Sequence, residues 1–496
     1  MIVLFKNALS RTTADHTAPG LRVGAFLLAV AVGLPGCAWL GDLMEGDGLH
    51  PVAYEPPSPA TDTGPELDPL SGAPLIRVGL AHNVLEAEVS SRAAFTVTVF
   101  ADTVSTYSLA AGGRWRFRAL EDGIEAVGPD DRLHVGAGTV RVTADGPSLL
   151  SVGGTTYRGE IEVFASAPGS LSVGNIVSVE SYLRGVVPLE IGRRLPEELE
   201  AVKAQAVAAR TYAVASSGSR AHGSFDVFPT IEDQVYGGVE VEEPVSWRAI
   251  TETAGVVAEH DGEPISAYFH SSCGGRTEAR KEVWELPDLP YIRSVWDTPG
   301  GSRDLDLAYC KNAADFAWSE SWSGQEIARL VEQHLPAVAS TPVGQPLGRV
   351  RDLRVTARTP SGRVRWLEIE TDGGTYRVFG DRTRWLLRRP GTARILRSSW
   401  FELDVERRGG HVARVIAEGR GYGHGVGMCQ HGALEMARQG YSYQEILEHY
   451  YPGIELTRAY EIGGEEASGE SDNRAGDTGP GDPAPEENEI DTPGAR

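Results

Sequence analysis

Glu190 is the residue of this chain whose setting is best suited to proton chemistry. Val186, Val187, Pro188, Leu189 and Ile191 surround it in sequence, and Pro188 stiffens the approach. A carboxyl group among apolar side chains holds its proton to higher pH, because the charged form loses hydration. Three further polar clusters stand out. They are Gln205, Arg210 and Tyr212; His270-Ser271-Ser272-Cys273-Gly274-Gly275; and His424 with Gln430 and His431. None of them defines a reaction alone. His431 suits a surface or helix-packing position equally well. A nucleophilic Cys429/His431 pair is disfavoured, since nothing in sequence places a base and an orienting group around that sulfur.

The elements that must carry these residues follow from pattern. A helix is expected from Pro196, where proline is tolerated in the first turn. Glu197, Glu198 and Glu200 fill its positive end. Leu199, Val202, Ala206, Ala209 and Ala213 recur at steps of three and four and make one apolar face. Lys203 and Arg210 lie on one margin of that face, Gln205 and Tyr212 nearer the other. Arg210 suits a buried structural ion pair as well as a ligand contact. Before this helix, 75–81, 95–100, 114–119, 133–144, 156–165 and 171–179 read as short strands separated by turns. After it, 225–236 reads as a loop and 247–253 as a helix. A hairpin is expected from 256–259 and 264–269 about Asp261-Gly262. Residues 280–310 are irregular, 323–334 is an amphipathic helix, and strands return at 350–357, 364–371 and 375–379. A short helix or turn falls at 382–387. The run RGYGHGVGMCQHGALEMARQGYSYQEILEHYYPGIEL opens with a Gly-rich loop, which can bring backbone N–H groups close to a ligand. Helices at 430–439 and 442–450 follow. The fold class read from this is α+β: a mostly β N-terminal part, a mixed helix/strand core, and a β-rich insertion.

The 496 residues are enough for two or three domains. A net charge of −23 argues against nucleic acid or an anionic membrane surface as a nonspecific partner. Lys6, Arg11 and Arg22 precede an apolar run at 23–34, too short for a comfortable membrane span but suitable for a signal segment. Leu34-Pro35-Gly36-Cys37 then resembles a bacterial lipobox, which implies cleavage before Cys37 and its lipidation. Plain secretion and an uncleaved anchor are the other outcomes. All three put the body of the chain outside the inner membrane. Residues 38–72 form a Pro/Gly-rich linker, and the acidic 463–496 tail is expected to be disordered. Cys273, Cys310 and Cys429 remain. In an exported protein two such thiols usually pair, and Cys273 with Cys310 is the favoured pair. No CxxC or zinc-type spacing is present, so neither metal nor cofactor is expected.

In combination and order the clusters are specific. VESYLRGVVPLEI, LEAVKAQAVAARTYA, DQVYGG, AYFHSSCGGRTE and GYGHGVGMCQHGALEMARQGYSYQEIL resemble the SpoIID/LytB family, stage II sporulation protein D and the amidase enhancer LytB. The resemblance covers about residues 75–456. It implies a β-rich part at 73–178 and a catalytic core at 179–462 with an inserted subdomain at about 310–400. It also implies a lytic transglycosylase acting on peptidoglycan glycan strands stripped of stem peptides, with Glu190 as the acid/base. Gln205, Arg210, Tyr212, Tyr236, His270, Ser272, His424 and Gln430 are the candidates to hold the sugar. A glycan-binding enhancer of a cell-wall amidase is the alternative. Some members carry a Cys–Asp–Thr–Thr–His–Cys zinc motif before QVY. Here Phe228, Glu232 and Asp233 stand at those positions, so no zinc is expected there.

Overall fold

Apolar and polar residues alternate along much of 75–178, and a period of two makes strands with one buried face. The structure, a computed structural model, describes residues 72–461 apart from 137, 147, 219–223, 231–232 and 342–345. Cys37, the leader and most of the linker, Glu232 and the 463–496 tail lie outside the described residues. Among the described residues, this first part forms two six-stranded antiparallel sheets. Val89, Phe95, Val97, Trp115, Phe117, Val142 and Val163 pack together as their core. Strand β1 (Leu75–Val84) pairs with β2 (Ser170–Ser178), with Leu75 opposite Ser178.

Strand β2 runs directly into helix α1 (Val179–Ile191). Sequence pattern does not announce this helix, because Val186, Val187 and Pro188 all have low helix propensity. Burial overrides them. Ser178 Oγ caps the start, accepting from the Ser181 N–H at 3.2 Å. Every residue of α1 is buried except Leu189 and Glu190, which are partly exposed. Pro188 sits in the last turn, and Gly192 ends the helix at φ 77°.

Helix α2 (Leu199–Ser216) follows a 3-10 turn at Pro196–Glu198. The expected apolar face is buried, and so are Ala201, Ala204, Val207 and Ala208. The helix is therefore central rather than one-sided. Its alanines let α1, α3 (Pro244–Glu252) and β3 (Val256–His260) pack closely around it. The expected hairpin is shorter than its pattern. Within the hairpin, the strand opposite β3 is just Glu263 and Pro264, about Asp261 (φ 55°) and Gly262 (φ 80°). The chain then leaves to form β4 (Phe269–His270), which pairs elsewhere.

An insertion has its own core, with Trp322, Ile327, Val331, Leu335, Leu353, Leu367, Ile369 and Val415 buried together. It contains β5 (Trp318–Ser323), α4 (Gly324–Val338), β6 (Val350–Arg358), β7 (Val364–Thr371), β8 (Gly374–Phe379), β9 (Phe401–Arg408) and β10 (His411–Gly419). Two three-stranded sheets result, ordered β5-β10-β9 and β6-β7-β8. The β9/β10 hairpin escapes the sequence reading because much of it is polar and exposed. Its cluster reaches Ala417, past the boundary near 400. Buried Glu278 ties the insertion to the core, accepting from Thr359 Oγ1 at 2.5 Å and from Ser361 Oγ. Buried Arg363 Nη2 donates to the Cys273 carbonyl at 2.8 Å.

The chain closes with β11 (Met428–Cys429), α5 (Gln430–Arg438), α6 (Tyr443–Tyr450) and β12 (Glu455–Arg458). β11 pairs in parallel with β4, setting His270 opposite Cys429. β12 pairs antiparallel with β3. Both helices pack on α2, so the C-terminal motif returns to the middle of the fold. Among the described residues, no helix is long and apolar enough to cross a membrane.

Candidate active site

Glu190 occupies the last turn of α1 and is partly exposed. Its Oε1 accepts the Val235 N–H at 3.0 Å. Burial pushes its carboxyl up to about 7, against the smaller downward pull of that hydrogen bond. No cation pairs with it among the described residues. The same turn has a second attachment. Terminal carbonyls of a helix lack intrahelical donors, and Gln430 Nε2 supplies one to Glu190 O at 2.9 Å. Gln430 Nε2 also reaches Gln205 Oε1 at 3.2 Å.

Within DQVY, Asp233, Gln234 and Val235 each make a hydrogen bond in this region. Asp233 Oδ1 accepts from Tyr212 Oη at 2.7 Å, and Oδ2 from the Phe228 N–H at 2.7 Å. Gln234 Oε1 accepts from Tyr182 Oη at 3.3 Å. Val235 serves Glu190 through its backbone. Burial, then the negative Asp233, raises the Tyr212 phenol, so that hydroxyl stays a donor. Two buried amide nitrogens, Gln205 Nε2 and Gln234 Nε2, have no partner among the described residues. Buried polar groups are rarely left so, and each is a candidate for a ligand oxygen.

A second cluster forms where β4 meets the Gly-rich loop. The His270 and His424 rings lie 5.5 Å apart, and Trp284 is 5.0 Å from His424 and 5.1 Å from Tyr268. His270 Nδ1 lies 3.1 Å from the Val426 carbonyl, which assigns the proton to Nδ1. Its Nε2 is a buried acceptor without a partner among the described residues. His424 Nδ1 accepts the Val426 N–H at 3.0 Å. Burial depresses both rings to about 3, with Arg363 adding to the shift at His270 and His270 itself at His424. Both imidazoles are neutral near pH 7, so of these three groups Glu190 is the one that exchanges a proton in that range.

Several sequence-chosen residues are placed otherwise. Arg210 is fully buried in a two-pronged ion pair with Glu180, at 2.8 Å for both Nε and Nη2. It also donates to the carbonyls of Ile250 and Val256, so it braces α2 against α1 and β3 rather than meeting a ligand. Tyr236 offers no stacking face. It is 7 % exposed, packs on Tyr182 and Tyr157, and donates to Asn175 Oδ1 at 2.9 Å. Ser272 is buried, and its backbone pairs with Tyr422. The glycines of the Gly-rich loop answer to packing. A Cβ at Gly427 (φ 73°) would stand 1.9 Å from Tyr268 O, and one at Gly425 2.4 Å from Arg363 Nη2. Cys273 and Cys310 are unbridged thiols with sulfurs 3.5 Å apart, and Cys429 adjoins them.

Sequence reasoning missed Tyr182, Asp233, Gln234, Val235, Tyr268 and Trp284. DQVYGG held the signal for three of these, since an extended segment turns successive side chains to opposite sides. A surface cavity of about 420 Å³ lined by Glu278, Lys281, Asp288 and Arg293 includes none of the site residues.

This frame, an acidic helix end clamped by a C-terminal glutamine, defines a carboxyl-centred site in an α+β core. The stage II sporulation protein family (SpoIID) matches residues 168–260, the stretch that contains Glu190 and α2. A domain of unknown function (DUF8618) matches 278–427. An uncharacterized protein of Brachyspira hyodysenteriae is 31% identical over 324 residues, 64% of this chain and 76% of that protein. Stage II sporulation protein D of Bacillus amyloliquefaciens is 31% identical over 308 residues, 58% of this chain and 76% of its own length. The amidase enhancer of Bacillus subtilis is 31% identical over 298 residues, 55% of this chain but only 40% of the enhancer. The chain belongs to the SpoIID/LytB family.

Proposed function

We propose that the protein is a lytic transglycosylase that cuts the MurNAc–GlcNAc β-1,4 bond of peptidoglycan, on strands stripped of stem peptides. The observation that carries this reading is Glu190: a carboxyl held up to about 7 by burial, with one backbone donor and, among the described residues, no cation paired with it. In the reaction Glu190 gives its proton to the departing GlcNAc O4 as the glycosidic bond breaks. The MurNAc C6 hydroxyl closes on C1, and the Glu190 carboxylate takes the hydroxyl proton. The products are a GlcNAc with a free 4-hydroxyl and a 1,6-anhydro-MurNAc end. No water enters and Glu190 ends protonated, so one carboxyl suffices where an ordinary glycosidase needs two. Asp233 fits this scheme, because Tyr212 and the Phe228 N–H hold it in place. Gln205 Nε2, Gln234 Nε2 and His270 Nε2 supply two donors and an acceptor for sugar hydroxyls or the N-acetyl group.

On this proposal the protein works outside the inner membrane, anchored to a membrane through a lipid on Cys37. A second reading, a glycan-binding partner that enhances an amidase without cutting, draws on the likeness to the B. subtilis enhancer. One assay separates them. The purified protein is incubated with denuded glycan strands, and anhydro-muramyl ends are sought by mass spectrometry. Product from the wild type and none from Glu190→Gln is expected. Absence of product from the wild type favours the second reading, and product from Glu190→Gln removes the mechanism.

A further inference from the structure

Four side chains far apart in sequence meet inside the core. Cys273 follows β4, Asp297 lies in the irregular stretch after it, Cys310 sits in the 3-10 turn Tyr309–Asn312, and Cys429 ends β11. Three sulfurs and a carboxylate oxygen lie within 4.8 Å of one another. None of the four residues is more than 1 % exposed. We propose that Cys273, Asp297, Cys310 and Cys429 form a structural site for a zinc-class divalent ion, separate from Glu190.

Geometry comes first. A tetrahedral ion with sulfur ligands at about 2.3 Å separates those sulfurs by about 3.8 Å. The Cys273 and Cys310 sulfurs stand 3.5 Å apart, near that edge and far beyond the roughly 2.05 Å of a disulfide. Closing the set onto an ion asks the more distant ligand atoms to move by about 1 Å or less. No backbone rearrangement is implied.

The surroundings make a second, independent case. Backbone N–H groups are directed at two of the sulfurs. Cys429 Sγ accepts from Cys273 N at 3.2 Å and Gly432 N at 3.4 Å, and Cys273 Sγ accepts from Gly275 N at 3.3 Å. A neutral thiol is a weak acceptor, and such donors are spent best on thiolates bound to a metal. The carboxylate is oriented in the same way. Tyr450 Oη donates to Asp297 Oδ1 at 2.5 Å, and the Cys310 N–H to Oδ2 at 3.1 Å. Asp297 has no Lys or Arg partner among the described residues, and a carboxylate at 0 % exposure needs a counter-charge. Space is committed too, since a Cβ on Gly432 would come within 2.3 Å of Asp297 Oδ1.

A Cys273–Cys310 disulfide is the competing arrangement. It would leave Cys429 with two donors and nothing to balance Asp297. A divalent ion uses all four ligands at once. Three thiolates and one carboxylate favour zinc over magnesium or calcium. The absence of an open, exposed ligand position makes the role structural rather than catalytic. The ion would pin three loops together directly behind the Gln430 that holds Glu190.

The test uses the whole purified protein, expressed with zinc in the medium. Metal content by plasma mass spectrometry is expected near one zinc per chain, with all three thiols unreactive to maleimide until a chelator is added. After removal of zinc under reducing conditions, cobalt(II) should give intense thiolate-to-cobalt charge-transfer absorption. Cys310→Ser and Asp297→Asn should weaken binding by about tenfold or more. Circular dichroism checks their folding, and if either fails to fold the wild-type arms decide alone. The proposal is overturned by a wild type that carries no zinc and gives no charge-transfer band with cobalt after reduction. Metal that stays in folded Cys310→Ser overturns it too, as does a Cys273–Cys310 disulfide in freshly isolated protein.

Discussion

Gln430 Nε2 donates to the main-chain oxygen of Glu190 at 2.9 Å, joining residues 240 positions apart. The bond fixes the helix turn from which the carboxyl projects. It also explains why the Gly-rich segment precedes α5. Only a chain that passes tightly over Tyr268 delivers Gln430 to that place. Gln430→Ala leaves both the Glu190 carbonyl and Gln205 Oε1 without this donor. For the proposed glycan cleavage the expected result is a fall in kcat of about tenfold or more with a smaller change in KM, because positioning is lost rather than binding. Unfolding by heat should show a cost of about 1–3 kcal/mol for the orphaned acceptors. Unchanged kcat in a folded variant would remove the positioning role.

In the proposed mechanism, the pH dependence of cleavage follows from which groups hold a proton. Glu190 must be protonated to act first as acid, and burial holds it to about 7. kcat/KM should therefore be level on the acid side of 7 and fall tenfold per pH unit well above it. His270 and His424 add no limb near neutrality, since both stay neutral down to about 3. A rate that climbs steadily from pH 6 to pH 9 on denuded glycan would point to a general base instead.

Local pattern made some of this visible and tertiary packing hid the rest. Glu190 could be chosen from its apolar neighbours, and α2 from proline, glutamates and a small-residue face. α6 begins as its sequence suggests, Ser442 and Glu445 bonding reciprocally in a capping box. The helical state of 179–191 could not be read, because valines and a proline favour other conformations until the core encloses them. Cys273 beside Cys310 is the pair that sequence favours, but the arrival of Cys429 and Asp297 next to them could not be read, because it depends on separate returns of the chain to one point. Arg210 and Tyr236 were attractive as polar and aromatic types, and only burial reveals that each is spent on packing.

Arg210 gives a prediction about stability. Its guanidinium and the Glu180 carboxylate are both wholly buried, and Glu180 also accepts from the Gly255 N–H and Tyr460 Oη. Arg210→Met strands that carboxylate in the core, at a cost of about 3–5 kcal/mol. Arg210→Met with Glu180→Leu should recover a large part, since the stranded charge is gone. Chemical denaturation measures both. A ligand-contacting arginine would give the opposite pattern, with stability kept and glycan binding lost.

Glu190→Gln should separate chemistry from folding. The ordinary carboxyl value of 4.5 rises to about 7 in the fold, so the folded protein binds this proton more tightly than the unfolded chain. That linkage stabilises the wild type fully below about 4.5 and is lost as pH rises through about 7. Glutamine keeps an oxygen for the Val235 N–H and carries no charge at any of these pH values. The variant should therefore gain on the wild type as pH rises from 4.5 to 8, by about 2–3 kcal/mol at the upper end. Thermal melts of both proteins across that range read the difference directly. A constant gap would mean that the Glu190 carboxyl titrates as if in water, and the proton needed for bond cleavage at neutral pH would have to come from another residue.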